Sequence, residues 1–182
     1  MPKVVVIAAL ASSNRVIGNC GKLPWSIPED LKRFQQLTLH HTVIMGRKTW
    51  EFDLEKRPLK NRSLIVVSSR LSDSTPGIEV ARSLTDAINR CRDRDRVFIA
   101  GGASLYAQAL AVSEANVPNI SGAGNLCADQ LELTLVDGEY KGDVFFPPFR
   151  HLIGTHFELI KVEPRDGYRF ETYGRKGMKC DL

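Results

Sequence analysis

The sequence predicts one α/β domain built on a mainly parallel, twisted sheet flanked by helices, with an antiparallel hairpin near its C-terminal end. Three observations predict it. The runs Val4–Ala11, Thr42–Met45, Leu64–Val67 and Val97–Ile99 are apolar at nearly every position, as central strands buried on both faces must be. Amphipathic helical patterns lie between them, and strand–helix alternation favours parallel pairing. Beyond residue 130, strand patterns follow one another across turns without an intervening helix, which is how antiparallel neighbours read.

The 182 residues are the size of one domain, enough to bury roughly 70% of the unfolded surface. No repeat or linker divides them, so residues 1–182 read as one unit. Lys3 with Val4–Ala11 matches a secretory leader only weakly, because its basic region is one residue long and the run continues into Arg15-Val16-Ile17-Gly18 as a strand entering a loop. Pro28–Leu37 carries Leu31, Phe34 and Leu37 at helical spacing with proline in the first turn. The strand Val43–Met45 opens into a glycine-basic turn, Gly46-Arg47-Lys48-Thr49, and Leu64–Val67 ends on Ser68-Ser69-Arg70. Ser83 caps a helix reaching Cys91, with Leu84, Ala87, Ile88 and Cys91 on one side. Arg90–Arg96, where Arg and Asp alternate, reads as its solvated end. Val97–Ile99 leads into Ala100-Gly101-Gly102-Ala103-Ser104, which opens the next helix. Ala111–Cys127, rich in Asn, Ser, Gly, Ala and Pro without periodicity, reads as an irregular surface loop. Gln130–Val136, Phe157–Val162 and Tyr168–Tyr173 are strands, the last two joined through Glu163-Pro164-Arg165-Asp166-Gly167.

Net charge is +4 with pI near 8.9, a mild, unclustered field that suits small polyanions. No aromatic is interleaved with the one arginine-rich stretch, so nucleic acid is not the primary partner expected. No apolar run approaches the roughly 18 residues of a membrane span. Cys20, Cys91, Cys127 and Cys180 are scattered, without a Cys-x-x-Cys pair or histidines at ligand spacing. Neither a disulfide framework nor a metal site is indicated, and a reducing, cytoplasmic setting is expected.

Asp30 is the first candidate for chemistry. Alone it reads first as a charge favoured by the helix dipole; its company points to a site acid, because Trp25, Ile27, Leu31 and Phe34 would surround it with apolar surface and a buried acid needs a partner. A ligand edge with two adjacent N–H donors, such as a 2-aminopyrimidinone, would satisfy both carboxyl oxygens. Each basic turn alone is as readily a solvated surface. Together, Gly46-Arg47-Lys48-Thr49 and Ser68-Ser69-Arg70 put hydroxyls and cations on adjacent strand ends and fit a 2'-phosphorylated adenosine. Gly101-Gly102 can present backbone N–H groups to a pyrophosphate, although ordinary strand-to-helix turns use such pairs and the Rossmann spacing is absent. Arg62 alone is a solvated cation, but its fork suits an α-carboxylate. The sequons Asn61-Arg62-Ser63 and Asn119-Ile120-Ser121 read as chance.

In chain order these residues resemble the dihydrofolate reductase family over almost the whole length. The resemblance is carried by Ile7–Ala11 with Arg15-Val16-Ile17-Gly18, by Leu23-Pro24-Trp25 with Pro28, Asp30-Leu31 and Phe34, and by Val43–Trp50. Arg57-Pro58-Leu59, Gly101-Gly102 with Leu105-Tyr106, Leu133-Thr134, and Gly142-Asp143 with Phe146-Pro147 complete it. It implies reduction of 7,8-dihydrofolate to 5,6,7,8-tetrahydrofolate, with hydride passing from C4 of NADPH to C6 of the pterin while N5 gains a proton.

Residue by residue, the resemblance implies that Asp30 grips the pterin N3 and 2-amino edge while Trp25 and Thr134 hold the hydrogen bonds around it. Ile7, Leu31, Phe34 and Leu59 would pack its rings, with Ala100 and Tyr106 beside them, and Arg62 would pair with the glutamate α-carboxylate. Ala9 and Ile17 would meet the nicotinamide. Gly46, Arg47, Lys48, Thr49, Val67, Ser68, Ser69 and Arg70 would serve the phosphates and adenosine, within an adenosine-binding part at about 42–104. Gly101, Gly102, Ala103, Ser104 and Leu105 would serve the pyrophosphate, and Asp143 would hold the Gly18–Trp25 loop. No metal is implied; antifolate binding and a monomer are. Phe52-Asp53 depart from the Ser-Ile usual beside the substrate, Ala100 from a bulkier Ile or Val, and the segment 111–127 is longer than the usual connection. Two rivals share the fold: a related NADPH-dependent reductase of the riboflavin pathway, and a catalytically weak NADPH-binding or RNA-binding homologue. Trp25, Asp30 and Phe34 together favour a pterin over the first, and Asp30 with Thr134 speaks against the second.

Overall fold

Strand β1 (Lys3–Ala11) runs through the middle of the molecule. The computed structural model describes residues 1–111 and 127–177. After β1 come β2 (Val16–Gly18), α1 (Pro28–Thr38), β3 (Thr42–Gly46), a π-helical turn at Thr49–Asp53, β4 (Ser63–Val67), β5 (Glu79–Ala81) and α2 (Leu84–Asn89). Next are β6 (Arg96–Ile99), α3 (Ala103–Leu110), β7 (Gln130–Val136), β8 (Val144–Phe145), a 3-10 turn at Arg150–Leu152, β9 (Phe157–Arg165) and β10 (Tyr168–Arg175). Among the described residues, eight strands form one sheet in the order β5-β4-β3-β6-β1-β7-β10-β9, and β2 pairs with β8. Pairing is parallel from β5 across to β7 and antiparallel from β7 through β10 to β9.

Alternate residues of a strand face opposite sides, and β1 is apolar on both because both are covered. Val4, Val6 and Leu10 join Ile44, Ile99, Leu131, Leu133 and Phe146 under α2 and α3. Val5 and Ile7 join Val43, Met45, Trp50 and Phe98 on the opposite face, where Phe34 and Leu37 of α1 pack only half-buried. Pro28 starts α1, with Glu29 and Asp30 in its first turn. Ser83 caps α2 by accepting from Asp86 N at 3.0 Å.

Three local expectations are corrected. Gly46-Arg47-Lys48-Thr49 is not an open turn: β3 passes directly into helical residues that continue as the π-helical turn, because Trp50 is drawn into the core at 2% exposure. The hairpin turn is only Asp166-Gly167, with Gly167 at φ +80. Strand β9 therefore runs through Pro164, which an edge strand tolerates because one of its sides lacks ladder bonds. Helix α2 stops at Asn89, and Arg90 turns back to pair with Asp86 at 3.0 Å. The stretch 112–126, the body of the expected irregular loop, lies outside the described residues, as does Cys180. No described helix is long and apolar enough to cross a membrane.

Candidate active site

Helix α1 sets Asp30 over the C-terminal half of β7. Asp30 Oδ1 accepts a hydrogen bond from Thr134 Oγ1 at 2.5 Å, and Thr134, buried, stands opposite Ala9 in the parallel β1–β7 register. Burial pushes the Asp30 carboxyl above its ordinary range, while the Thr134 bond and the Arg33 charge pull the other way. Trp25 comes up from the preceding loop. Its ring meets Tyr140 edge-on at 5.0 Å, and its Nε1 is buried without a hydrogen-bond partner among the described residues.

The wall beside Asp30 is apolar. Ile7 belongs to the buried cluster at its base, and Phe34, Leu59 and Ala100 pack half-buried against that cluster from three separate segments. Leu31 is 58% exposed at the rim. Tyr106 lies beneath the floor, donating its hydroxyl to Ile7 O at 2.9 Å, and burial together with Asp53 and Asp30 keeps it neutral. Arg62 reaches the far end, held by Lys60 O at 3.1 Å and Thr38 Oγ1 at 3.2 Å, with its guanidinium 5.9 Å from the Phe34 ring centroid. It has no acidic partner among the described residues.

The Gly18–Trp25 loop is tied down from one side. Cys20 N donates to both Asp143 carboxyl oxygens at 3.2 Å, and Asp143 N donates to Gly18 O at 3.1 Å. Gly142 permits this approach: a Cβ there would lie 2.3 Å from Val16 Cγ1 and 2.6 Å from Gly18 O. On the other side Phe52 lies against Gly21, its Cβ 3.4 Å from where a Gly21 Cβ would be. Asp53 follows, exposed as a residue but with its carboxyl half-enclosed, and that desolvation pushes its pKa up to about 6.

The second half of the cleft is backbone-lined. Gly46 N donates to Gly101 O at 2.8 Å. Gly101 has φ +124, and a Cβ on it would crowd Thr49 Oγ1 at 3.1 Å, so the end of β3 and the start of α3 meet with no side chain between them. Gly102 and Ala103 are half-buried and Ser104 is exposed at the first turn of α3, where N–H groups lack helical partners. Leu105 turns into the core. Lys48, Ser69 and Arg70 are exposed nearby, and Arg47 pairs with Glu51. Ser68 is buried, accepting from Arg70 N and Leu71 N, both at 3.1 Å, while Val67 packs half-buried on the core. Ala9 and Ile17, half-buried, stand at the junction of the two halves. The described residues contain no group of three His, Cys, Asp or Glu able to hold a metal.

One charged feature escaped sequence reasoning: Arg33, a turn along α1 from Asp30, pairs with buried Glu132 of β7. The signal was Glu132 itself, a charge inside the strand Gln130–Val136 on the same face as Thr134.

The family profile described as dihydrofolate reductase matches residues 3–175. The chain belongs to the dihydrofolate reductase family. Curated dihydrofolate reductases similar to it include that of Neisseria meningitidis serogroup A, 40% identical over 174 residues and covering 95% of each chain. That of Bacillus subtilis is 37% identical over 172 residues, covering 90% of each. Haloferax volcanii dihydrofolate reductase HdrB is 35% identical over 182 residues, covering 96% of this chain and 84% of its own. A solved dihydrofolate reductase from Enterococcus faecalis, complexed with NADP(H) and RAB-propyl, superposes with a TM-score of 0.76 at 29% identity over 96% of both chains.

Proposed function

We infer that the chain reduces 7,8-dihydrofolate to tetrahydrofolate with NADPH, and that Asp30 is the acid that grips the pterin. The Asp30–Thr134 hydrogen bond at the bottom of a half-buried apolar cleft carries this reading. Oδ1 keeps a lone pair beyond the Thr134 bond and Oδ2 keeps two, which match the N3–H and 2-amino donors of one pterin edge. Ile7, Phe34, Leu59 and Leu31 flank its rings, Ala100 and Tyr106, which supports the Ile7 carbonyl, stand beside them, and the Arg62 fork takes the glutamate α-carboxylate. Trp25 Nε1, a buried donor in need of an acceptor, holds a water on the Asp30 side.

The backbone cradle of Gly46, Gly101 and Gly102, which any Cβ at 101 would crowd, fits a dinucleotide pyrophosphate. Ala103 to Leu105 continue it, Arg47, Lys48, Thr49, Ser69 and Arg70 supply donors for phosphate, and Val67 and Ser68 shape the floor under the adenosine. Ala9 and Ile17 border the nicotinamide. NADPH supplies the hydride that passes to pterin C6. The residues around it align the two rings, exclude water and keep a proton available at N5. Burial raises the proton affinity of Asp30, so turnover falls as pH rises through the pKa that this acid governs. Residues 1–182 act as one domain and as a monomer, in the cytoplasm, and antifolates bearing a 2-aminopyrimidine edge compete at Asp30.

Dihydrofolate-dependent loss of reduced nicotinamide absorbance tests the reading, with Asp30→Asn as control. The variant is expected to lose on the order of 10²–10³ in turnover at neutral pH while binding NADPH as the parent does. Undiminished turnover would overturn the role of Asp30.

A further inference from the structure

Two polar pairs tie α1 to β7 side by side. Asp30 and Arg33 are one helical turn apart, Glu132 and Thr134 are alternate residues of the strand, and each helix residue bonds one strand residue. The carboxylate of Glu132 also accepts from Gln130 Nε2 and, at 2.9 Å, from Thr172 Oγ1. The guanidinium of Arg33 lies 4.6 Å from the Phe170 ring centroid. A buried ion pair adds little stability over apolar residues of the same size. What this one does supply is a fixed positive charge a turn away from the pterin-gripping acid, with its counter-charge on the adjoining strand.

We propose that Arg33 and Glu132 are a positioning pair that sets the proton affinity of the active site, Arg33 lowering it and Glu132 limiting how far. The proposal rests on the reading of Asp30 as the pterin acid. Asp53 apart, the other charged and titratable groups around Asp30 among the described residues are already occupied or neutral. Glu29 of α1 turns outward to Arg165 and Tyr168. Tyr106 of α3 is neutral, β1 offers only Ile7 and Ala9, and on β10 Phe170 and Thr172 face Thr134 and Glu132 while Arg169 and Glu171 pair with each other. Asp53, on the π-helical turn, is another acid near the floor. Arg33 is the nearest cation, and its charge opposes the burial that raises Asp30.

The sign is the same whether the proton rests on Asp30 or on pterin N5, because a nearby cation disfavours it in both places. Single-turnover hydride transfer should therefore be followed against pH with NADPH and dihydrofolate for Arg33→Gln, Glu132→Gln and the double variant. Arg33→Gln is expected to move the basic limb up by ~0.5 pH unit, and Glu132→Gln to move it down by a similar amount. The double variant should return close to the parent. Limbs that stay in place, or that move in the same direction in both single variants, would overturn the proposal. Where a single variant does not fold, Arg33→Lys serves instead: it keeps the charge and must keep the limb, and a displaced limb counts against the pair. Asp30→Asn separates the two levels. If it leaves rate and limb intact, the reading of Asp30 fails. If it removes the limb while the Arg33 and Glu132 variants leave theirs unmoved, only the pair fails.

Discussion

Val6 and Ile7 are neighbours on β1, yet they stand in unlike surroundings. On the Val6 side Leu10, Leu110, Leu131, Leu133, Phe146 and Phe149 are sealed between the sheet and helices α2 and α3, each 1% exposed or less. On the Ile7 side a smaller cluster is ringed by Phe34, Leu37, Leu59 and Ala100, none of them fully covered. One face thus has its packing completed by the chain, and the other leaves apolar surface that a ring system can complete. The proposed function puts the substrate on the second face accordingly: stability is concentrated on the first, and binding free energy is left to be gained on the second.

Substitutions that truncate one face at a time would break this contrast. Leu133→Ala on the sealed face is expected to cost ~3–4 kcal/mol of stability by urea unfolding, with KM little changed. Phe34→Ala on the open face should cost about half as much, because its side chain is already partly wet, and should raise KM for dihydrofolate roughly tenfold. Equal stability losses with equal KM would show the two faces to be alike. Arg62→Leu, at the end of the open face, is expected to raise KM for dihydrofolate by ~10-fold through loss of a charge-assisted contact, leaving the NADPH dissociation constant unchanged. A matching loss for NADPH would make the residue structural.

The smallest effect belongs to Asp53, whose carboxyl is pushed up to about 6 by desolvation. An acid raised in the folded state favours folding below its unfolded pKa and loses that contribution as pH rises through the folded one. Asp53→Asn should therefore stabilise the protein by about 1 kcal/mol at pH ~8 after allowance for solvent screening, and by nothing near pH ~4. Gain of the same size at both pH values would mean that the effect is packing and not charge.

The sheet was legible where burial on both faces forces unbroken apolar runs, as in β1, β3, β4 and β6, and α1 where proline and the Leu31-Phe34-Leu37 spacing mark it. Strands β5 and β8, three and two residues long, are too short for periodicity to register. Gly46-Arg47-Lys48 reads locally as a turn, and only the distant core that buries Trp50 turns it into helix. In the site, no local pattern joins Asp30 to Thr134, because α1 and β7 are far apart in sequence, and family resemblance alone paired them. Arg33 and Glu132 escaped even that, since the resemblance carries no role for either and no local pattern joins residues so far apart in the chain.

The central place of β1 has a consequence for how the chain is made. Its partners are β6 and β7, with Val5 opposite Phe98 on one side and Gln130 on the other, so both of its ladders close very long loops. During synthesis β1 emerges well ahead of both partners, meeting β6 only once Ile99 is made and β7 only once Val136 is, whereas β9 and β10 can zip together across their own short turn within microseconds. Birth order and folding order run opposite ways. The nascent protein must carry an apolar segment with unpaired strand edges through the making of about half its residues, an interval in which such a segment is exposed to aggregation.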